Sequence, residues 1–135
     1  MTQSITRAYL RRGLTAHLNE LGYSVEREPR TGTPVAEIAR RSPVRGRLAY
    51  GETVLRADLR RRSCHERLLF FSQRRTRHRS SILFFVGVAE SDRPDLETLL
   101  ETLGIRSAVR GGHVHIVSVA VPPARRRTTR TPSAD

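Results

Sequence analysis

His113 and His115 occupy alternate positions in an apolar stretch, so a strand there would aim both imidazoles at one face, about 6.6 Å apart along the chain. Two such rings could share a metal ion. A zinc or iron site needs a third ligand, and spacing identifies none, which leaves ordinary edge or helix-facing histidines as the simpler reading. Cys64 is the single cysteine, which excludes an internal disulfide and a multi-cysteine zinc site; its neighbour His65 defines no hydrolase geometry, and a small apolar helix residue explains it. No Gly-x-Ser-x-Gly elbow and no glycine-rich phosphate loop occurs, and a chain without lysine has no Walker motif. Two acids stand in suggestive surroundings. Glu37 lies in PVAEIA, and Asp58 lies in VLRADLR between Arg56 and Arg60. Taken alone they read as a solvated acid and as an acid balanced by arginines on a sheet face.

All 25 basic residues are arginine, and the formal net charge is +12. An excess of this size favours a polyanionic partner through phosphate contacts and counterion release, with DNA or structured RNA the expected one. The arginines expected to meet it are Arg56, Arg61 and Arg62 around the third strand, and Arg74, Arg75, Arg77 and Arg79 clustered at the end of the second helix. The latter four equally suit the negative end of that helix. Four Phe, three Tyr and no Trp leave few candidates for a base-stacking platform. One cysteine fits a reducing compartment, no signal-peptide core follows the first basic residues, and no apolar run approaches a membrane span. A cytoplasmic protein without a membrane partner is expected.

The elements that must position these residues follow from hydrophobic period. Ile82 to Ala89, ILFFVGVA, carries no charge and no hydrogen-bonding side chain, as a strand buried on both faces would. Asp92, Pro94, the spacing Leu96, Leu99, Leu100, Leu103 and then Gly104 read as helix start, stripe and stop. A returning strand at Val114 to Val121 makes a parallel unit, so a mixed sheet with helices against it is expected. Before it, Leu10, Leu14, Leu18 and Leu21 predict a first helix over Ile5 to Leu21, capped by Ser4 and ended by Gly22. Ser24 to Glu28 reads as a half-exposed strand, Pro29 to Thr33 as a turn, and Val35 to Arg41 as a short strand or a helical turn from Pro34. Leu48 to Arg60 reads as one strand or as a hairpin bent at Gly51, with Arg56, Asp58 and Arg60 in one row. A Ser63–Glu66 capping box opens a second helix from Cys64 to about Arg77. Gly111-Gly112 predicts a hairpin turn between Ile105 to Arg110 and His113 to Val121. Residues 1–121 thus form one α/β domain, and 122–135 a basic disordered tail.

The order helix, strand, strand, strand, helix, strand, helix, strand resembles the PD-(D/E)xK superfamily, the restriction-endonuclease-like nucleases that include Holliday junction resolvases. The resemblance spans most of residues 5 to 121. In that family an acid lies on the second strand and an acid-x-lysine triplet on the third; Glu37 takes the first place, and Asp58-Leu59-Arg60 the second. The opening AHLNELGYSVERE is similar to the first helix and strand of small resolvases, where a helix acid can join the site, and Glu20 would be that acid. The resemblance implies Mg2+ or Mn2+ held by Glu37 and Asp58, activating water beside the scissile phosphate, with Arg60 on that phosphate. Arg60 keeps the charge of the family's lysine but cannot release its proton, and Glu37 lacks an adjoining proline. The implied function is a metal-dependent DNA nuclease or resolvase relative, acting as a homodimer; the alternative is a noncatalytic nucleic-acid-binding or assembly protein.

Overall fold

The computed structural model describes residues 5–26, 35–43, 47–73 and 82–120. In chain order these form α1 (Arg7–Glu20), β1 (Val25–Glu26), β2 (Ile38–Arg41), β3 (Leu48–Val54), a 3-10 helix (Arg56–Arg60), α2 (Arg62–Ser72), β4 (Leu83–Ala89), α3 (Arg93–Thr102) and β5 (Val114–Val119). The result is a single α/β domain. Its five strands lie in sequence order, antiparallel from β1 to β3 and parallel from β3 to β5, so the expected mixed sheet and the parallel β4–α3–β5 unit are both present. No helix among the described residues is long and apolar enough to cross a membrane.

The period-2 geometry of β4 explains its uninterrupted apolar run. Phe84, Val86 and Val88 point toward α2 and α3, packing with Leu68, Phe71, Leu96 and Leu100, while Phe85 points the other way onto Leu14 and Leu18 of α1. Helices therefore cover both faces of the sheet. Leu10, Leu14 and Leu18 are fully buried, whereas Leu21 caps the helix and is 52 % exposed. Close approach of α1 is permitted by glycine: a Cβ on Gly51 would stand 3.0 Å from Leu14 Cδ2, and one on Gly87 3.3 Å from Leu14 Cβ.

Several boundaries differ from the sequence reading. Thr6 supplies the α1 cap, accepting from Tyr9 N–H, while Ser4 lies outside the described residues. β3 ends at Val54. Asp58 turns the chain there, because its Oδ2 accepts the Leu55 N–H at 2.9 Å while its own N–H donates to Leu55 O. The alternation that imitated a strand over residues 55–60 is a 3-10 helix, so Arg56, Asp58 and Arg60 do not share a strand row. α2 begins at Arg62 without a side-chain cap bond at its start. No hairpin forms at Gly111: residues Ala108–Arg110 make a 3-10 turn, Gly111 takes φ +91°, and Ser107 bridges Val114 in the parallel sense. The turn at Pro29 to Thr33, Arg74, Arg75, Arg77, Arg79 and the tail from 122 lie outside the described residues.

Candidate functional site

The antiparallel register of β2 and β3 pairs Ile38 with Gly51, and one step further places Glu37 opposite Glu52. Two carboxylates facing each other across strands repel. The chain bends at Glu37, and the two side chains part. Glu52 accepts both Arg67 Nε and Arg67 Nη2 at 2.7 Å, a two-pronged pair reached from α2, and its Oε2 also accepts the Glu37 backbone N–H at 2.6 Å. Glu37 turns its carboxylate toward α1. There Oε1 accepts from Thr53 N (2.9 Å) and Thr53 Oγ1 (2.7 Å), and Oε2 from Arg11 Nε and Nη2 at 3.1 and 3.0 Å. Asp58 completes the group, since its Oδ2 accepts from Arg7 Nη2 at 2.6 Å and Arg61 Nη1 stands 3.7 Å from Oδ1. Arg7 also donates through Nη1 to the carbonyl and hydroxyl of Thr53, tying α1 to the end of β3.

These groups line a cleft of about 340 Å³ between α1, the end of β3 and the start of α2, with Ser63 and Cys64 on its α2 wall. Four guanidiniums (Arg7, Arg11, Arg61, Arg67) meet three carboxylates there. Exposure separates the signs: the carboxylate side chains are 7–10 % exposed and the guanidinium side chains 40–63 %. The acids form the floor and the arginines face solvent. Hydrogen bonding to Glu52 raises the Arg67 pKa above its ordinary value despite the opposing effect of burial. Burial, then the charges of Asp58 and Glu52, pushes the Cys64 thiol up to about 11, which makes it a poor nucleophile.

Of the residues expected to act together, Glu37 and Asp58 do meet in this cleft. Glu20 does not: it is the last residue of α1, about 20 Å along the helix from Arg7 by axial rise. It is arginines, not an acid, that α1 brings to the site. Arg60 ends the 3-10 helix, exposed and outside the lining of the cleft. Arg61 joins the site, Arg56 pairs instead with Asp92 at 2.9 Å and Asp95 at 3.3 Å, and Arg62 with Glu66 at 3.2 Å. His113 and His115 go to separate partners: His113 Nε2 lies 2.6 Å from Ser72 O, while His115 stacks on Phe85 with centroids 4.8 Å apart. No group of three His, Cys, Asp or Glu able to hold a metal is present among the described residues. Glu52 and Arg67 escaped the sequence reading. The available signal was a charge inside AYGETV, where a buried strand leaves an acid no option but a partner.

No family model matches this chain, and searches of curated proteins and of solved structures find no match either.

Proposed function

We propose that the protein binds the phosphodiester backbone of nucleic acid in this cleft, on a scaffold of the restriction-endonuclease-like kind. The observation that carries the reading is the exposure asymmetry: carboxylates 7–10 % exposed hold four arginines whose side chains are 40–63 % exposed. A guanidinium fixed on one edge by a carboxylate loses little further freedom when its other edge meets phosphate. The surplus of arginine over acid in the cleft has the same sign as the chain's +12. Support for the scaffold comes from the order of elements, a helix and an antiparallel three-strand run followed by two parallel strands with a helix before each. Support also comes from Glu52 on β3 and Glu37 at the bend just before β2, a closer acid pair than one with Asp58, which follows β3.

The Mg2+ or Mn2+ implied by the resemblance is not part of this proposal, because the donors do not fit it. Both Glu37 oxygens and both Glu52 oxygens already accept hydrogen bonds, and Asp58 is held between two arginines. A cation would have to displace guanidiniums and enter a cleft of positive balance. The reading is therefore of binding without hydrolysis. It is tested by incubating the protein with plasmid and branched DNA, with Mg2+ or Mn2+ and with chelator, reading gel shift and cleavage together. A shift that survives chelator without cleavage is expected. Cleavage lost in chelator, in Glu37→Ala and in Asp58→Ala would replace this reading with a metal-dependent nuclease, and absence of any shift would remove nucleic acid as the ligand.

A further inference from the structure

Thr53 is 4 % exposed near the end of β3, on the strand face that α1 covers, where Ala49 and Gly51 precede it against Leu14. A hydroxyl buried there needs partners, whereas valine would fill the same space without that demand. The partners carry opposite charges. Arg7 Nη1 donates to Thr53 Oγ1 at 3.0 Å, and the hydroxyl hydrogen goes to the Glu37 carboxylate, with Oε1 at 2.7 Å and Oε2 at 2.8 Å. Glu37 Oε2 in turn accepts from Arg11 Nε and Nη2. One hydroxyl thus links the two arginines that α1 brings to the cleft, four residues or about 6 Å of helix apart. The link needs a group that accepts from a guanidinium and donates to a carboxylate, which a hydroxyl does and neither an ammonium nor a carboxylate can.

We infer that Thr53 is a positioning residue of the phosphate site, its hydroxyl orienting Arg7 and Arg11 together before a phosphate arrives. The inference rests on the phosphate-binding reading and adds the uncharged residue on which two of its four arginines depend. A long side chain that is loose before binding loses rotamer freedom when it meets its ligand, and that loss weakens the complex. Glu37 stands at the bend before β2, and the Thr53 hydroxyl and N–H fix the carboxylate that Arg11 follows. Arg7 is fixed at three points, the hydroxyl and carbonyl of Thr53 and the Asp58 carboxylate. Without the hydroxyl, Arg7 keeps Thr53 O and Asp58, and Glu37 keeps the Thr53 N–H. The fold is therefore expected to persist while the two guanidiniums lose their common link.

The test measures binding of a fluorescently labelled DNA hairpin by anisotropy at fixed salt, with folding checked by circular dichroism. Thr53→Val and Thr53→Ala both remove the hydroxyl, the second without setting a methyl against the Glu37 carboxylate, and each is expected to bind roughly tenfold more weakly. Thr53→Ser keeps the hydroxyl and is expected to bind as the natural protein does. A purely structural role would cost the same whichever arginines are present. In an Arg11→Ala background the loss on removing the hydroxyl is instead expected to shrink to about threefold, the part that acts through Arg7. Natural affinity in the folded hydroxyl-less variants, an equal loss in Thr53→Ser, or an undiminished loss in the Arg11→Ala background overturns the positioning role while leaving the phosphate reading standing. No binding of the hairpin by the natural protein overturns both.

Discussion

The arginine–carboxylate pairs of the cleft and those around the start of α3 use the same two residue types at the same end of the sheet, beyond the C-terminal ends of β3 and β4. Their balance of charge differs, although Asp92 is buried beneath Arg56 as the cleft acids are beneath theirs. In the cleft, Glu52 and Asp58 are buried, the Glu37 side chain is 10 % exposed, and arginines from α1, α2 and the end of the 3-10 segment close over them. Around α3 the acids outnumber the arginines and Glu90, Asp95, Glu97 and Glu101 are exposed, with Arg56 lying across Asp92 and Asp95 and Arg93 beside Glu97. One region presents positive charge supported from beneath, and the other a mainly negative surface crossed by three arginines, Arg56, Arg93 and, on Glu101, Arg110. The cleft pairs also join residues far apart in sequence, Arg7 to Asp58 and Arg11 to Glu37, so they organise tertiary structure as well as charge. Around α3 the Arg93–Glu97 pair is local, one helical turn apart, whereas Arg56 reaches Asp92 and Asp95 from 36 and 39 residues away.

The comparison breaks most visibly at Arg67. Replacing it with Met strands Glu52, 5 % exposed and opposite Glu37, without its cation; the expected loss is about 3 kcal/mol by urea denaturation. Arg62→Ala, which removes an exposed pair with Glu66 one turn along α2, is expected to cost about 0.3 kcal/mol. Equal losses in these two variants would erase the distinction between supported and superficial pairs.

A smaller effect concerns pH. Burial, reinforced by the charges of His113 and His17, lowers the His115 pKa below its ordinary value. The folded protein then resists a proton that the unfolded chain accepts. This stability is complete above the unfolded value of about 6.5 and is lost as pH falls below it toward the lowered folded value. The urea midpoint should therefore decline between about pH 7 and pH 5, and His115→Phe, which keeps a ring against Phe85, should flatten that decline. An unchanged decline in the variant would assign the effect to other groups. Smallest is the response of Cys64. With its thiol pKa pushed up to about 11, the native protein should react only slowly with iodoacetamide at neutral pH and quickly once unfolded. Fast reaction of the folded protein would contradict the half-buried, acid-flanked setting given to it by the cleft.

Apolar pattern made most of the sheet legible. ILFFVGVA has no polar side chain to face solvent, and the leucines of α1 and α3 repeat at helical spacing, so the central strand, the outer helices and the mixed sheet follow from period alone. The end of β3 was not legible, because LRADLR alternates apolar and charged residues in both a strand and a 3-10 turn; only the reach of Asp58 to Leu55 N–H distinguishes them. The site was legible in part for the same reason. Glu37 and Asp58 do share the cleft, but which arginines join them depends on α1 packing over β3 through Gly51 and Gly87, a contact without local signature. Glu20 was drawn in by position on the first helix, yet that helix places its opposite end at the site.

The central claim, that the cleft and not the α3 surface meets the polyanion, is tested most directly by the salt dependence of DNA binding in two double variants, Arg11→Ala with Arg61→Ala and Arg56→Ala with Arg93→Ala. Each lost phosphate contact lowers the slope of log affinity against log salt by about 0.9, so the cleft pair should lower it by about 1.8 and the α3 pair should leave it unchanged. An equal reduction in both, or a reduction only in the α3 pair, would contradict the account.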